Sequence, residues 1–181
     1  MNLFRTLELL LENPAAFLSG EKPSGLGRAG LAGYFAGTLG LFAYLRIFSA
    51  VPPGFASFAV VLMLVLAANF CFSAVMHLFL DLTGAQGSAS RLFLVFGVTD
   101  FLLALLVPLA FFAKLGYINA FLALCLCLIL AVYFRVRVVR GLYPVSSNKA
   151  LLAVCLPYAG FTAVFFAGFI YSIAWLVWLA V

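Results

Sequence analysis

The chain has 181 residues, of which 67% are hydrophobic and only 8% charged. Soluble domains carry about a quarter charged residues, so lipid is the main solvent here. At roughly 20 apolar residues per crossing, about five or six spans fit, which excludes a large soluble catalytic or nucleic-acid-binding module. The formal net charge of +5 comes from ten basic and five acidic residues spread thinly along the chain, which suits anionic headgroups better than a nucleic-acid groove and predicts no nucleic-acid partner.

Residues 1–28 are expected to form a cytoplasmic interfacial helix and linker. Leu3, Phe4, Leu7, Leu10 and Leu11 recur at helical spacing with Arg5, Glu8 and Glu12 elsewhere on the wheel, as in a helix lying in the membrane surface. Asn13-Pro14 ends it. The two glutamates interrupt the apolar run, so no cleaved signal is expected.

Apolar length then predicts an all-α, polytopic domain over 29–181 with five spans, at 29–49, 55–80, 92–113, 116–139 and 150–181. Turn chemistry separates them: Pro52-Pro53-Gly54, Thr83 to Ser88, Lys114 to Gly116, and Arg140 to Lys149 with Gly141 and Pro144. Eight basic residues (Arg5, Lys22, Arg28, Arg91, Arg135, Arg137, Arg140 and Lys149) fall on the N-terminal side and two, Arg46 and Lys114, on the other. The excess of positive charge on cytoplasmic loops therefore places the N-terminus in the cytoplasm and the C-terminus outside. Tyr171, Trp175 and Trp178 suit the outer headgroup boundary.

In the first span Gly30, Gly33, Gly37 and Gly40 follow at steps of three, four and three, forming one smooth helical face for close packing. Ala163, Ala167 and Gly168 offer a second such patch in the fifth span; these surfaces serve neighbours within the chain or a homo-oligomer. Pro108 and Pro157 each remove a backbone hydrogen bond inside a span, and the length of the fifth span calls for a kink or an interfacial first turn.

Asp100 is the most informative polar residue. It lies nine positions after Arg91, about 13 Å into the bilayer at 1.5 Å per residue, where a carboxylate costs on the order of 3 kcal/mol to insert. Asn69, Arg135 and Arg137 are its candidate partners. The site is either an ion or proton position in a polar cavity or a satisfied contact between helices. His77 and Asp81, four apart, share a face at the cytoplasmic end of the second span, where a carboxylate can orient a histidine. No other histidine exists, and no metal or other cofactor is expected. The cysteines Cys71, Cys125, Cys127 and Cys155 sit in apolar stretches and read as small buried side chains; Cys125 and Cys127, two apart, point to different faces. No nucleophile, base and orienter emerge together, so an enzyme is not expected. Gly84 to Ser88 lacks the spacing and terminal lysine of a phosphate loop and reads as a turn.

The arrangement resembles the Yip domain family, five-span membrane proteins named for interaction with Ypt/Rab GTPases. The elements that carry the resemblance are Asn13-Pro14, Gly84-Ala85-Gln86-Gly87-Ser88, Pro108, Gly141-Leu142 with Ser146 and Lys149-Ala150, and Pro157. The resemblance implies a cytoplasmic N-terminus, a non-enzymatic role as membrane scaffold or organiser, and a compact, prokaryote-like member. It implies the bacterial cell (inner) membrane for a prokaryotic chain and a secretory-pathway membrane for a eukaryotic one. Candidate contacts for anionic headgroups or a membrane-protein partner are Arg137, Arg140, Lys149, Gly84, Gly87 and Ser88. The rival readings are a small transporter or channel for an ion, proton or lipid, using Asp100 with Asn69, His77, Asp81 and Arg135, and an accessory subunit of a larger membrane complex.

Overall fold

The computed structural model describes residues 25–180, so the expected interfacial helix at Leu3 to Glu12 lies outside the described residues. Among them the chain is all-helical: α1 (Leu26–Ile47), α2 (Phe55–Leu82), α3 (Ala89–Asp100), a 3-10 helix (Phe101–Leu105), α4 (Leu106–Lys114), α5 (Ala120–Leu142) and α6 (Ser147–Ala180). Four stretches are long and apolar enough to cross a membrane: Phe55–Leu82, the continuous Ala89–Lys114 formed by α3, the 3-10 helix and α4, Ala120–Leu142 and Ser147–Leu179. The expectation of five therefore reduces to four on this measure. The first helix falls short because Gly30, Gly33, Gly37 and Gly40, with Arg28 and Arg46 near its ends, dilute its apolar content.

Local chemistry sets the ends of these helices. Ser88 Oγ accepts from the Arg91 amide at 3.5 Å and Asn119 Oδ1 from the Leu122 amide at 3.1 Å, satisfying amides that a helix start leaves without an internal partner. These caps move the third and fourth spans to Ala89 and Ala120 from the expected 92 and 116. Three helices end in the same paired bonds. Ala50 and Ser49 amides reach the Leu45 and Arg46 carbonyls, those of Ala85 and Gly84 reach Leu80 and Asp81, and those of Tyr117 and Gly116 reach Phe112 and Ala113. This closure requires a left-handed residue, supplied by Gly84 and Gly116, each at φ 82°, and by Ser49 at φ 57°.

Ala89–Lys114 is the central element: half of its most apolar window is buried, against 17–33% in the other three candidates. α1 packs along it, and its glycines explain how. A Cβ on Gly30 would overlap the Leu94 carbonyl, on Gly33 that of Gly97, on Gly37 that of Asp100, and on Gly40 that of Leu103. Both numbers rise together, so the two helices run parallel with backbones in contact. Pro108 sits two residues inside α4 and gives no amide to the Ala104 carbonyl, and the chain ahead of it tightens into the 3-10 helix. α5 also packs on this central element, touching α1 through Val138 and Cys127, and α6 lies against α2 and α5.

α6 meets the bundle only through its first turns. Ala150, Ala153 and Val154 join the main core with Met76, Leu80, Leu92, Phe96, Val139 and Tyr143, and Pro157 is also buried. From Ala159 to Leu179 every residue is exposed. The cysteines are corrected in part: Cys127 is buried, but Cys71 and Cys155 face outward, since their helix faces meet no neighbouring helix.

Candidate functional site: a buried polar hub

Asp100 ends α3 and is 2% exposed; Arg135, in the last third of α5, is 5% exposed. Arg135 Nη2 lies 2.5 Å from Asp100 Oδ1. The same nitrogen donates to Asn69 Oδ1 at 2.6 Å, while Asn69 Nδ2 donates to Asp100 Oδ2 at 2.8 Å and to the Val65 carbonyl at 3.0 Å. Arg135 Nε donates to Thr99 Oγ1 at 3.4 Å, Nη1 donates to Tyr158 Oη, and the guanidinium carbon sits 4.6 Å from the Phe96 ring centroid. α2, α3, α5 and α6 thus each contribute a polar side chain, and Gly37 brings α1 against the Asp100 backbone.

The pair carries no net charge. In hydrocarbon that is decisive, because either ion alone costs on the order of 3 kcal/mol to insert, whereas a hydrogen-bonded pair offsets much of that cost. Both carboxylate oxygens of Asp100 are engaged, and Asn69, an amide with donor and acceptor, closes the ring by bonding to both ions.

The structure brings together Asp100, Asn69 and Arg135 among the expected residues. Arg137 is exposed: two residues from Arg135 is about 200° around a helix, so only one of them can face the bundle. Arg135 is accordingly part of the core rather than of the exposed basic residues. His77 and Asp81 are not part of the hub. His77 lies eight residues beyond Asn69 on α2, about 12 Å along the axis, so the five residues do not line one path. Its hydrogen bond is with Tyr143 rather than Asp81: Nδ1 and Tyr143 Oη are 2.8 Å apart, and Asp81 is exposed.

Thr99, Tyr158 and Tyr143 were not foreseen as site residues. Thr99 adjoins Asp100, and Tyr158 follows the one proline of α6, but neither position is distinctive without the helix arrangement. Arg135 shares its face with Cys127, Ala131, Val138 and Val139, a pattern the sequence does contain.

The remaining candidates gather at the end of the bundle where the 83–88 turn meets the α5–α6 connection. Lys149 Nζ donates to the Thr83 carbonyl at 2.7 Å, and the Lys149 amide reaches Ser146 Oγ at 3.4 Å. A Cβ on Gly87 would overlap the Tyr143 ring, so the 83–88 turn rests on the α5–α6 connection. Gly84 has open space around it, and Arg137 and Arg140 are exposed. Among the described residues no three histidine, cysteine, aspartate or glutamate side chains gather as metal ligands. No family model matches the chain, and neither curated proteins nor solved structures provide a match.

Proposed function

We propose that the chain is a non-enzymatic, five-span membrane scaffold or organiser of the Yip type, with a cytoplasmic N-terminus and an external C-terminus, meeting headgroups or a protein partner at its cytoplasmic end. The observation that carries this reading is the closure of the polar hub: Asp100 and Arg135 satisfy one another, with Asn69, Thr99 and Tyr158 completing the set. A transport site needs a group left open to its cargo, and a hydrogen-bonded neutral pair serves better as a pin between helices.

Support for the fifth crossing comes from α1, which runs parallel to Ala89–Lys114 from the level of Leu94 to that of Ala104. Tyr44 further along α1 donates to the Ala120 carbonyl at the start of α5. A helix with that footing shares the depth of its neighbour. With α1 included, the two ends of the helical domain fall on opposite sides, in agreement with the charge asymmetry, which survives the transfer of Arg135 to the core.

The reading is tested by reconstitution and capture. Proteoliposomes of the wild type and of Asp100→Asn should show the same passive ion and proton leak, and neutralising Arg137, Arg140 and Lys149 should reduce recovery of a partner or of anionic liposomes. Flux present in the wild type and lost in Asp100→Asn would instead put the transporter first. Reporters fused after Val181 should be active only in the external compartment; cytoplasmic activity there removes the five-span topology.

A further inference from the structure

The second polar cluster, where the 83–88 turn meets the α5–α6 connection, is independent of the hub and of the scaffold reading. Tyr143 directly follows α5, is 0% exposed, and its ring belongs to the main core beside Met76 and Leu80 of α2 and Ala150 of α6. Gly87 of the α2–α3 turn lies against this ring so closely that any side chain would collide with it. The position of the ring therefore fixes the position of the turn. Its hydroxyl has one hydrogen-bond partner among the described residues, Nδ1 of the half-buried His77 at 2.8 Å.

The direction of that bond follows from chemistry. A phenol is both donor and acceptor, and burial pushes the Tyr143 hydroxyl up to about 12, with the negative charge of Asp81 acting the same way, so it keeps its proton. If His77 Nδ1 carried a hydrogen, the buried phenol proton would lack an acceptor. Neutral His77 therefore holds its proton on Nε2 and accepts from Tyr143 at Nδ1.

We propose that His77 is a proton-sensing site: proton uptake at Nδ1 turns this acceptor into a donor, reverses the bond to Tyr143, and releases the ring and the 83–88 turn that rests on it. The displaced phenol proton is then left without an acceptor in the buried cluster, which removes the bond that held the ring. The charged groups at this end are Arg28 on α1, Asp81 on α2, Arg91 on α3, Arg137 and Arg140 on α5 and Lys149 on α6; Lys149 is held on the Thr83 carbonyl. The turn is therefore locked while His77 is neutral and loosened once it is protonated.

The test is nuclear magnetic resonance of the full chain in nanodiscs, following the His77 ring nitrogens and the Gly87 Hα signal, which the Tyr143 ring current displaces. In the wild type, Gly87 should shift with the same midpoint as His77, and the neutral ring should be the Nε2–H tautomer. In His77→Gln, whose side-chain oxygen still accepts from Tyr143 but does not titrate, and in Tyr143→Phe, which keeps the ring without the hydroxyl, Gly87 should be flat with pH. A Gly87 signal that stays constant while wild-type His77 titrates, a neutral Nδ1–H tautomer, or an undiminished Gly87 transition in His77→Gln each overturns the proposal. The first two are read on the wild type, so the test does not depend on either variant folding.

Discussion

Asp100 and Arg135 form a buried ion pair in which each ion compensates the other. Replacing one ion of a buried pair leaves the other uncompensated, at a cost of about 3–5 kcal/mol. Asp100→Asn and Arg135→Gln are each expected to lower the thermal midpoint of the detergent-solubilised protein sharply. The double variant should recover much of that loss, because two neutral amides can still hydrogen-bond. Additive losses would show that the pair does not act as a unit. Tyr143 gives a second, pH-dependent signature. Its hydroxyl holds its proton more tightly folded than unfolded, so the stabilisation is complete below about pH 10, the ordinary tyrosine value, and is lost as pH rises towards the folded value. Chemical denaturation at stepped pH should show a loss between about pH 10 and 12 that is smaller in Tyr143→Phe; identical profiles would count against it.

The elements are held together by two different means. α1 and the central stretch meet backbone to backbone, where apolar burial gives little drive between helices because lipid is equally apolar and close packing must supply the adhesion. Gly33→Ala places a methyl on the Gly97 carbonyl and is expected to cost about 1–3 kcal/mol. Gly168→Ala on α6, where nothing lies within 4 Å of the added atom, should leave the thermal midpoint unchanged or slightly higher. The helix ends offer a complementary test. Ser49 holds a left-handed conformation that Gly84 and Gly116 hold at the equivalent closures, and such a conformation costs an L-residue roughly 1–2 kcal/mol. Ser49→Gly is therefore expected to raise the midpoint; a fall would mean that the serine side chain contributes more than its backbone strain removes.

For the molecule as a whole, the half that holds the start of α6 is a packed bundle, while α6 leaves it after Tyr158. At 34 residues α6 is about 51 Å long, well beyond the roughly 30 Å hydrocarbon core. The hydrogen bond from Arg135 to Tyr158 falls where this separation begins, so the hub also fixes the last point at which α6 is tied to its neighbours.

The membrane class, the turns and the three long apolar helices α2, α5 and α6 were legible in the sequence because they depend on composition and on residues near in chain order. Span length follows from the thickness of hydrocarbon, and glycine at the ends of α2 and α4 from local backbone sterics. Asp100 was legible too, since a carboxylate that deep needs a partner, and the step of Gly30, Gly33, Gly37 and Gly40 announced a close contact without naming the surface it meets. The tertiary structure alone decided that this surface is the backbone of Leu94 to Ala104, that Arg135 rather than Arg137 faces Asp100, that Tyr158 completes the hub, and that His77 turns to Tyr143. Each of these depends on the rotation of one helix about its axis relative to another. A single chain's periodicity leaves that angle open when nearly every residue on every face is apolar, and only the packed bundle fixes it.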